Sequence, residues 1–334
     1  MGNDINLLAA NDEDYYSSRH AEKKSFGRSK SGVTEQYHSE NRGVALKAGQ
    51  DLRINTDGVD ENNALVTRAS GDVNIQGADI EAGGNALITA RGDINLTPGS
   101  KADYAYSQSS KSGFGGFSKK QSVSMAKQTE AASTQITTQG DNLIQAGGDL
   151  TALAADIRSQ GVTHLSALGE ENIDNGSVNL LAGQNSRETF SETKKSKIGL
   201  SFSNNILSIA SERASQNTQL DISNVATRID GQEGIQVEAR KAINIVGSEL
   251  QSEGDIQLRT VEGDINIAAG VERHANEQRQ STSRKGIGLS SDSNGISQFV
   301  GEETVADRDE WEGVTLASSQ LRSGGNTKLQ AGND

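Results

Sequence analysis

The sequence predicts an all-β solenoid, a parallel β-helix of about four long repeat units that each carry a hairpin-like excursion. Three observations predict it: an aliphatic strand motif recurs at a long period, Gly-Asp pairs separate short alternating strands, and a basic, serine-rich tail follows each recurrence. The composition agrees, because 33% hydrophobic but only 4% aromatic residues exclude a large globule with an aromatic core. A formal charge of −13 would suit disorder, but regular Ile, Val and Leu alternations argue against it.

The long period is set by four strand openers. Ile5 lies in NDINL, Ile94 in GDINL, Val178 in GSVNL and Ile265 in GDINI, at separations of 89, 84 and 87 residues. Self-similarity at a fixed period is typical of stacked architectures. The pattern is already under way at both ends, so we expect an excerpt from a longer protein. We predict one continuous repeat region, 1–334, with units at approximately 3–91, 92–175, 176–262 and 263–334.

A shorter motif within each unit builds the coil. The stretch 71–96, GDVNIQGADIEAGGNALITARGDINL, alternates Gly-Asp or Gly-Asn turns with pairs of aliphatic residues two positions apart. Glycine tolerates the turn conformation, and Ile-x-Ile places two aliphatics on one face of a strand. A coil of about 20 residues cannot bury these side chains alone, so coils must stack into parallel sheets around a narrow core. The period of two and the frequent glycines disfavour a helical repeat.

Two polar residue types recur inside this pattern. Asparagines between the aliphatics are predicted to be outward polar positions, with a stacked asparagine ladder as the less favoured alternative: Asn74, Asn95, Asn179, Asn244 and Asn266. The recurring aspartates could suggest a calcium-binding nonapeptide, but that nonapeptide does not repeat. We therefore predict that the aspartates form turns: Asp72, Asp93, Asp141, Asp149, Asp255 and Asp264.

The tails predict a second structural element in each unit. After each opener come about 40 residues with few core aliphatics, which is too many for an ordinary turn. Each tail has a basic, serine-rich approach to a glycine-centred alternation: KKSFGRSKSG from Lys23, SSKSGFGGFSKK from Ser109, KKSKIGLSFS from Lys194 and SRKGIGLSSDS from Ser283. We predict an extended hairpin that leaves the solenoid and returns.

The alternation in the tails also predicts strands with one apolar face. Such segments can enter an outer membrane, and lysines beside them can contact anionic headgroups. In the alternative favoured for the resting state, the hairpins fold flat on the β-helix, cover apolar surface with one face, and lysines guard exposed edges. The candidate membrane or partner contacts are Phe114, Phe117, Lys119, Lys120, Lys195, Lys197, Ile198, Leu200, Phe202, Ile287 and Leu289.

These motifs resemble those of a known family. The GD-I-N-L coils with S-K-S-G-F and K-S-K-I-G-L-S tails are similar to the haemagglutinin repeats of filamentous-haemagglutinin-like exoproteins, which Gram-negative bacteria export by two-partner secretion. Units with hairpin-like tails look most like the second haemagglutinin-repeat region of contact-dependent growth inhibition (CdiA-type) effectors. The resemblance covers nearly the whole chain.

The resemblance implies a secreted, extracellular stalk of right-handed β-helix at the bacterial cell surface. In the inhibition effectors, this region lies between a receptor-binding segment and a C-terminal toxin, associates with the target cell's outer membrane and helps deliver the toxin. The expected partners are target-membrane lipid or lipopolysaccharide, a surface receptor, and neighbouring β-helical and toxin segments of the same polypeptide. An adhesin stalk is the alternative, and a β-helical polysaccharide enzyme is a minor one.

The residues that catalysis or ligand binding would require are sparse. The chain has no cysteine, and its four histidines, His20, His38, His164 and His274, lack metal-binding partners at short spacing. We therefore predict exposed polar histidines, no enzyme activity, no cofactor and no metal. The overall acidity and short basic clusters also disfavour nucleic-acid binding. The stretch GFGGF from Gly113 lacks the Gly-Lys-Ser/Thr ending of a phosphate loop.

Overall fold

The computed structural model of the chain describes residues 4–56, 58–59, 65–66, 71–168, 176–203, 206–292 and 295–332. These residues form seven stacked coils, and each coil contributes one strand to each of three parallel sheets. A fourth, antiparallel sheet is built from hairpins that leave the coils. The predicted parallel β-helix with four long excursions is therefore confirmed. The described residues contain no helix long and apolar enough to cross a bilayer.

The strands follow one another coil by coil. Coil 1 contains β1 (Ile5–Leu7), the hairpin strands β2 (Ala10–Lys23) and β3 (Ser29–Arg42), β4 (Ala45–Ala48) and β5 (Leu52–Asn55), and the short pair β6 (Gly58–Val59) and β7 (Leu65–Val66) follows it. Coil 2 contains β8 (Val73–Gln76), β9 (Asp79–Ala82) and β10 (Ala86–Ala90). Coil 3 contains β11 (Ile94–Thr97), the hairpin strands β12 (Gly99–Ser112) and β13 (Ser118–Ala132), β14 (Gln135–Thr138) and β15 (Asn142–Ala146).

The remaining coils repeat this order. Coil 4 contains β16 (Leu150–Leu153), β17 (Asp156–Ser159) and β18 (Val162–Ala167). Coil 5 contains β19 (Val178–Leu181), the hairpin strands β20 (Gly183–Ser203) and β21 (Ile206–Val225), β22 (Arg228–Gly231) and β23 (Gly234–Ala239). Coil 6 contains β24 (Ile243–Val246), β25 (Glu249–Ser252) and β26 (Asp255–Thr260). Coil 7 contains β27 (Ile265–Ala268), the hairpin strands β28 (Gly270–Asp292) and β29 (Gly295–Ala317), β30 (Gln320–Ser323) and β31 (Thr327–Gln330).

The core is a column of aliphatic side chains inside the three parallel sheets. Alternate residues of the coil strands point inward, and Val73, Ile94, Leu150, Val178 and Ile243 lie directly above one another in the first sheet. These side chains are fully buried. Burying one such aliphatic contributes about 1.5–3 kcal/mol, so the stacked column is the main source of stability.

The hairpins leave the solenoid at the corner between the first and second sheets, in coils 1, 3, 5 and 7. In coils 2, 4 and 6 the same corner is tight, with positive φ at Gly77, Ala154 and Gly247. The four hairpins pair edge to edge in one eight-stranded sheet in the order β2-β3-β12-β13-β20-β21-β28-β29, which we call the hairpin sheet. Each repeat unit therefore has two coils and one hairpin, while the unit boundaries given above stay predictions.

The hairpins do not add to the hydrophobic core. Among the described side chains, every buried aliphatic lies in a coil strand or corner, and none lies in a hairpin. Folding flat on the β-helix would bury one apolar face of each hairpin. That part of the resting-state prediction is wrong for the described side chains, because the hairpin strands satisfy their backbone by pairing with one another.

Polar ladders join neighbouring coils outside the core. Asn74 donates to Asn6 at 2.9 Å, Asn95 donates to Asn74 at 3.0 Å, and Asn244 donates to Asn179 at 2.8 Å. The predicted outward position is therefore confirmed, and the less favoured stacked ladder also forms. Thr151 takes the place of asparagine in coil 4 and accepts from Asn179 at 3.4 Å.

The recurring aspartates bond the next coil along the solenoid. The carboxylate of Asp72 accepts from the backbone N–H of Asp93 at 2.9 Å, and that of Asp93 accepts from Asp149 at 2.8 Å. Asp141 accepts from Val162 at 2.8 Å, and Asp255 accepts from Asn326 at 2.7 Å. These contacts explain the repeated Gly-Asp pairs. The described residues contain no cluster of three or more acidic, histidine or cysteine side chains that could hold a metal ion.

A side-chain hydroxyl, buried at Thr134 and Thr227 and half-buried at Ser319, closes the base of three hairpins. The second residue after each of these hairpins donates to the carbonyl oxygen two residues before the hairpin begins: Thr134 to Thr97 at 2.7 Å, Thr227 to Leu181 at 2.7 Å, and Ser319 to Ala268 at 2.6 Å. Thr227 also accepts from the Ala155 N–H at 3.1 Å, so its hydroxyl ties the hairpin base to the coil below.

Replacing Thr227 with valine should destabilise the protein while preserving the shape of the side chain. Thr227 is fully buried, and its loss would leave the Leu181 carbonyl and the Ala155 N–H without this partner. We expect the free energy of unfolding to fall by about 1–3 kcal/mol, measured by urea denaturation. Thr137→Val, at an outward position of β14, is the matched control and should change it by less than about 0.5 kcal/mol. Equal effects of the two changes would contradict the role of the Thr227 hydroxyl.

Candidate interaction surface on the hairpin sheet

The aromatic residues of the first two hairpins meet at the turns. Short 3-10 turns at Ser25–Gly27 and Phe114–Gly116 connect the strands, and Phe26 stacks on Phe114 with ring centroids 5.5 Å apart. Phe26 exposes 73% of its surface, and the two predicted residues Phe114 and Phe117 expose 57% and 55%. Phe26 was not predicted, although SFG in the first tail corresponds to GFG in the second.

Aliphatic residues occupy the same end of the other two hairpins. The predicted Ile198, Leu200 and Ile287 expose 62%, 77% and 62% of their surface. Ile287 lies directly opposite Leu207 on one side and Val300 on the other, and these two residues were not predicted. Phe202 and Leu289 lie in β20 and β28, but their side chains are outside the described residues. We call the described set the apolar tips: Phe26, Phe114, Phe117, Ile198, Leu200, Leu207, Ile287 and Val300.

The predicted lysines separate between the two faces of the hairpin sheet. Lys120 lies directly opposite Lys195, and Lys197 lies one row nearer the apolar tips on the same face. Lys119 precedes Lys120 on the strand and therefore projects from the other face. Neighbours in sequence are thus not neighbours on the surface.

Lys120 and Lys195 belong to a longer row of cations. In the pairing register, each of five residues on consecutive strands lies directly opposite the next. All five are exposed, and among the described residues none has an ion-pair partner. We call this row the basic ladder: Lys30, Lys111, Lys120, Lys195 and Arg213. The prediction missed Lys30, Lys111 and Arg213 as site residues, because only the register between hairpins brings them together.

The basic ladder is electrostatically unfavourable within the protein itself. Like charges directly opposite each other destabilise a sheet. On the other face, several charges are paired instead: Lys194 lies 2.9 Å from Glu192, and Arg279 lies 2.7 Å from Glu277. The Glu192 carboxylate raises the pKa of Lys194, and Arg279 is the main group that lowers the pKa of Glu277. The unpaired ladder therefore contrasts with its surroundings.

A hollow of about 560 Å³ lies nearer the hairpin bases on the ladder face. Its floor includes Ala105 and Ala126, and its walls include Tyr16, Arg187 and the His38–Asp103 pair. The His38 Nδ1 lies 2.6 Å from the Asp103 carboxylate, which raises the pKa of His38 and joins the first hairpin to the second. His274 and Asp221 make the equivalent contact at 3.0 Å between the third and fourth hairpins. The prediction of an exposed polar residue is confirmed for His38, whereas His274 is half-buried, and neither aspartate partner was predicted.

The His38–Asp103 contact should strengthen in mild acid. Because folding raises the pKa of His38, its stabilisation is fully present below the ordinary histidine value of about 6.5 and is lost as pH rises through the folded value. An NMR titration should give a raised pKa in the wild type and a value near the ordinary one in Asp103→Asn. Glu40→Gln, which removes a smaller contribution, should leave most of the rise. An unchanged His38 titration in Asp103→Asn would contradict this assignment.

Comparison with known proteins supports the predicted family. A family model described as the hemagglutinin repeat matches residues 24–120 and 207–334, well over half of the chain. Neither a curated protein nor a solved structure matches the chain. Proteins with this repeat are secreted surface proteins of a structural or adhesin kind. The β-helical coils, the paired hairpins and the matched residues together show that this chain belongs to the hemagglutinin-repeat family.

Proposed function

We propose that this chain is a non-catalytic segment of a contact-dependent growth inhibition effector, which attaches to the outer membrane of a target cell and helps deliver a C-terminal toxin. The observation that carries the proposal is the row of apolar tips at the free ends of all four hairpins. The growth-inhibition assignment is supported by the likeness of the K-S-K-I-G-L-S type tails described above. The toxin and receptor-binding parts would belong to other segments of the same polypeptide.

The apolar tips present hydrophobic side chains where water would normally favour polar ones. Leu200 and Val300 each expose 77% of their surface. Contiguous exposed apolar residues mark interaction sites, and fully burying one aliphatic or aromatic side chain contributes about 1.5–3 kcal/mol. Insertion of these side chains among lipid headgroups and acyl chains would bury them without rearranging the coil core.

The hairpin sheet places several weak contacts along one edge. The four hairpins pair side by side, so their tips lie at neighbouring positions rather than on opposite sides of the fibre. Once one tip is bound, the others are held at high effective concentration near the same surface. A segment of this kind attaches firmly although each tip inserts only a few side chains.

An adhesin stalk that serves as a spacer or host-binding surface is the second candidate. It is favoured by the continuous stacking of seven coils, which suits a load-bearing rod. In that function the apolar tips would contact a protein or glycan receptor instead of lipid. Membrane flotation separates the two candidates because it requires no receptor.

Flotation of the purified chain with outer-membrane vesicles and with lipopolysaccharide-free liposomes tests the proposed attachment. We expect the wild type to float with the vesicles and the double variant Ile198→Asp, Leu200→Asp to lose about tenfold or more in membrane affinity, because charged side chains oppose insertion. Circular dichroism should remain unchanged, since both positions are exposed.

The matched control places the same substitutions away from the apolar tips. Val314 and Leu316 expose 57% and 67% of their surface near the base of β29, so Val314→Asp, Leu316→Asp should float like the wild type. If neither the wild type nor the control floats, the membrane proposal fails and the adhesin stalk is favoured. Equal loss in both variants would show that the tips have no special role.

A further inference from the structure

We propose that the basic ladder is a second binding site, which takes a linear acidic polysaccharide lying along the fibre axis. The site is separate from the proposed membrane contact, because the ladder side chains project from a face of the hairpin sheet whereas the apolar tips lie at its edge. It therefore goes beyond the proposed function and does not depend on it.

The register places the five cations in a straight single file. Directly opposite residues of paired strands project from the same face, and neighbouring strands lie about 4.8 Å apart. The ladder runs across β3, β12, β13, β20 and β21, which gives it a length of roughly 20 Å at that strand spacing. Its ends are defined, because the next position is Glu22 on β2 and Thr282 on β28.

The rows beside the ladder suit a sugar chain. On the same five strands and the same face, the next row toward the hairpin bases is Gly32, Ser109, Ser122, Thr193 and Ser215. The row after it is Thr34, Ser107, Ser124, Ser191 and Asn217. Small side chains keep this surface open, and hydroxyls both donate and accept hydrogen bonds with sugar hydroxyls.

Charge complementarity identifies the ligand as an anion. The whole chain has a formal charge of −13, yet neither of the two neighbouring rows contains a carboxylate on these five strands. Like charges in direct opposition repel in the free protein, and a bound polyanion relieves that repulsion. Binding of a polyanion therefore relieves repulsion within the ladder, whereas scattered surface lysines would gain no such relief.

The single-file geometry favours a polysaccharide over other polyanions. A sugar chain with one carboxylate or sulfate on successive or alternate residues has charges spaced on the scale of neighbouring strands. A membrane is a broad surface and meets the edge of the hairpin sheet at the apolar tips before it meets the face. A nucleic acid carries a dense charge that the acidic remainder of the chain repels.

Binding of the full chain to dextran sulfate, polygalacturonate and neutral dextran tests the proposal by isothermal titration calorimetry. We expect binding to one or both acidic polymers and none to dextran, and the two acidic polymers distinguish sulfate from carboxylate recognition. The triple variant Lys111→Gln, Lys120→Gln, Lys195→Gln should lose at least tenfold in affinity and have a shallower salt dependence. Its thermal midpoint should stay the same or rise, because repulsion is removed.

The matched control removes the same charge from the other face of the same two hairpins. Lys119→Gln, Lys127→Gln, Lys194→Gln should retain affinity within about twofold, because these residues lie outside the ladder register. Equal weakening by both triples would overturn the proposal in favour of non-specific charge attraction, as would failure of the wild type to bind either acidic polymer. Loss of binding to phosphatidylglycerol vesicles but not to polysaccharide in the ladder variant would also overturn it, by assigning the ladder to lipid headgroups.

Discussion

The structure depends on one spacing, the distance of about 4.8 Å between neighbouring β-strands. Two coils advance the solenoid by the same distance that the two strands of one hairpin occupy in the hairpin sheet. Because hairpins leave at alternate coils, they meet edge to edge without a gap. A hairpin in every coil would need twice the available width, and one in every third coil would leave unpaired strand edges exposed to aggregation.

This spacing also constrains the corners between the hairpins. Each tight corner lies directly below the first residue of the next hairpin, so little space remains for a side chain. A Cβ on Gly77 would lie 2.8 Å from the Gly99 nitrogen, in addition to its strained positive φ of 55°. Ala154 replaces glycine in coil 4, and a Cβ on Gly183 above it would lie 2.9 Å from the Ala154 Cβ. Either the corner residue or the first residue of the hairpin above it must therefore be glycine for the hairpins to stack.

The sequence predicts the features whose determinants are local in the chain. It predicts only part of the features that depend on contacts between distant segments. The alternation around Ile94 and the Gly-Asp turns act within a few residues, so the coils and the existence of the hairpins could be predicted. The partners of each hairpin depend on a register between segments that lie far apart in the sequence, such as Lys30 with Lys111. The prediction therefore could not place Lys120 beside Lys111 and Lys195. The bonding of the asparagine ladder was underestimated for the same reason. The grouping of Lys120 with Lys119 was a separate error, because alternation along one strand already puts neighbouring residues on opposite faces.

Repetition of the hairpins strengthens binding by surfaces that would each bind weakly alone. A single hairpin offers one to three described apolar side chains at its tip and at most two cations of the basic ladder, too few for firm binding to a membrane or a polymer. Every additional pair of coils adds another hairpin to the hairpin sheet, so the edge that carries the apolar tips lengthens along the fibre, whereas the basic ladder ends at Thr282. Because the two surfaces point in perpendicular directions, occupation of one leaves the other accessible. A fibre built this way gains avidity by adding units, without a new fold or a deep pocket.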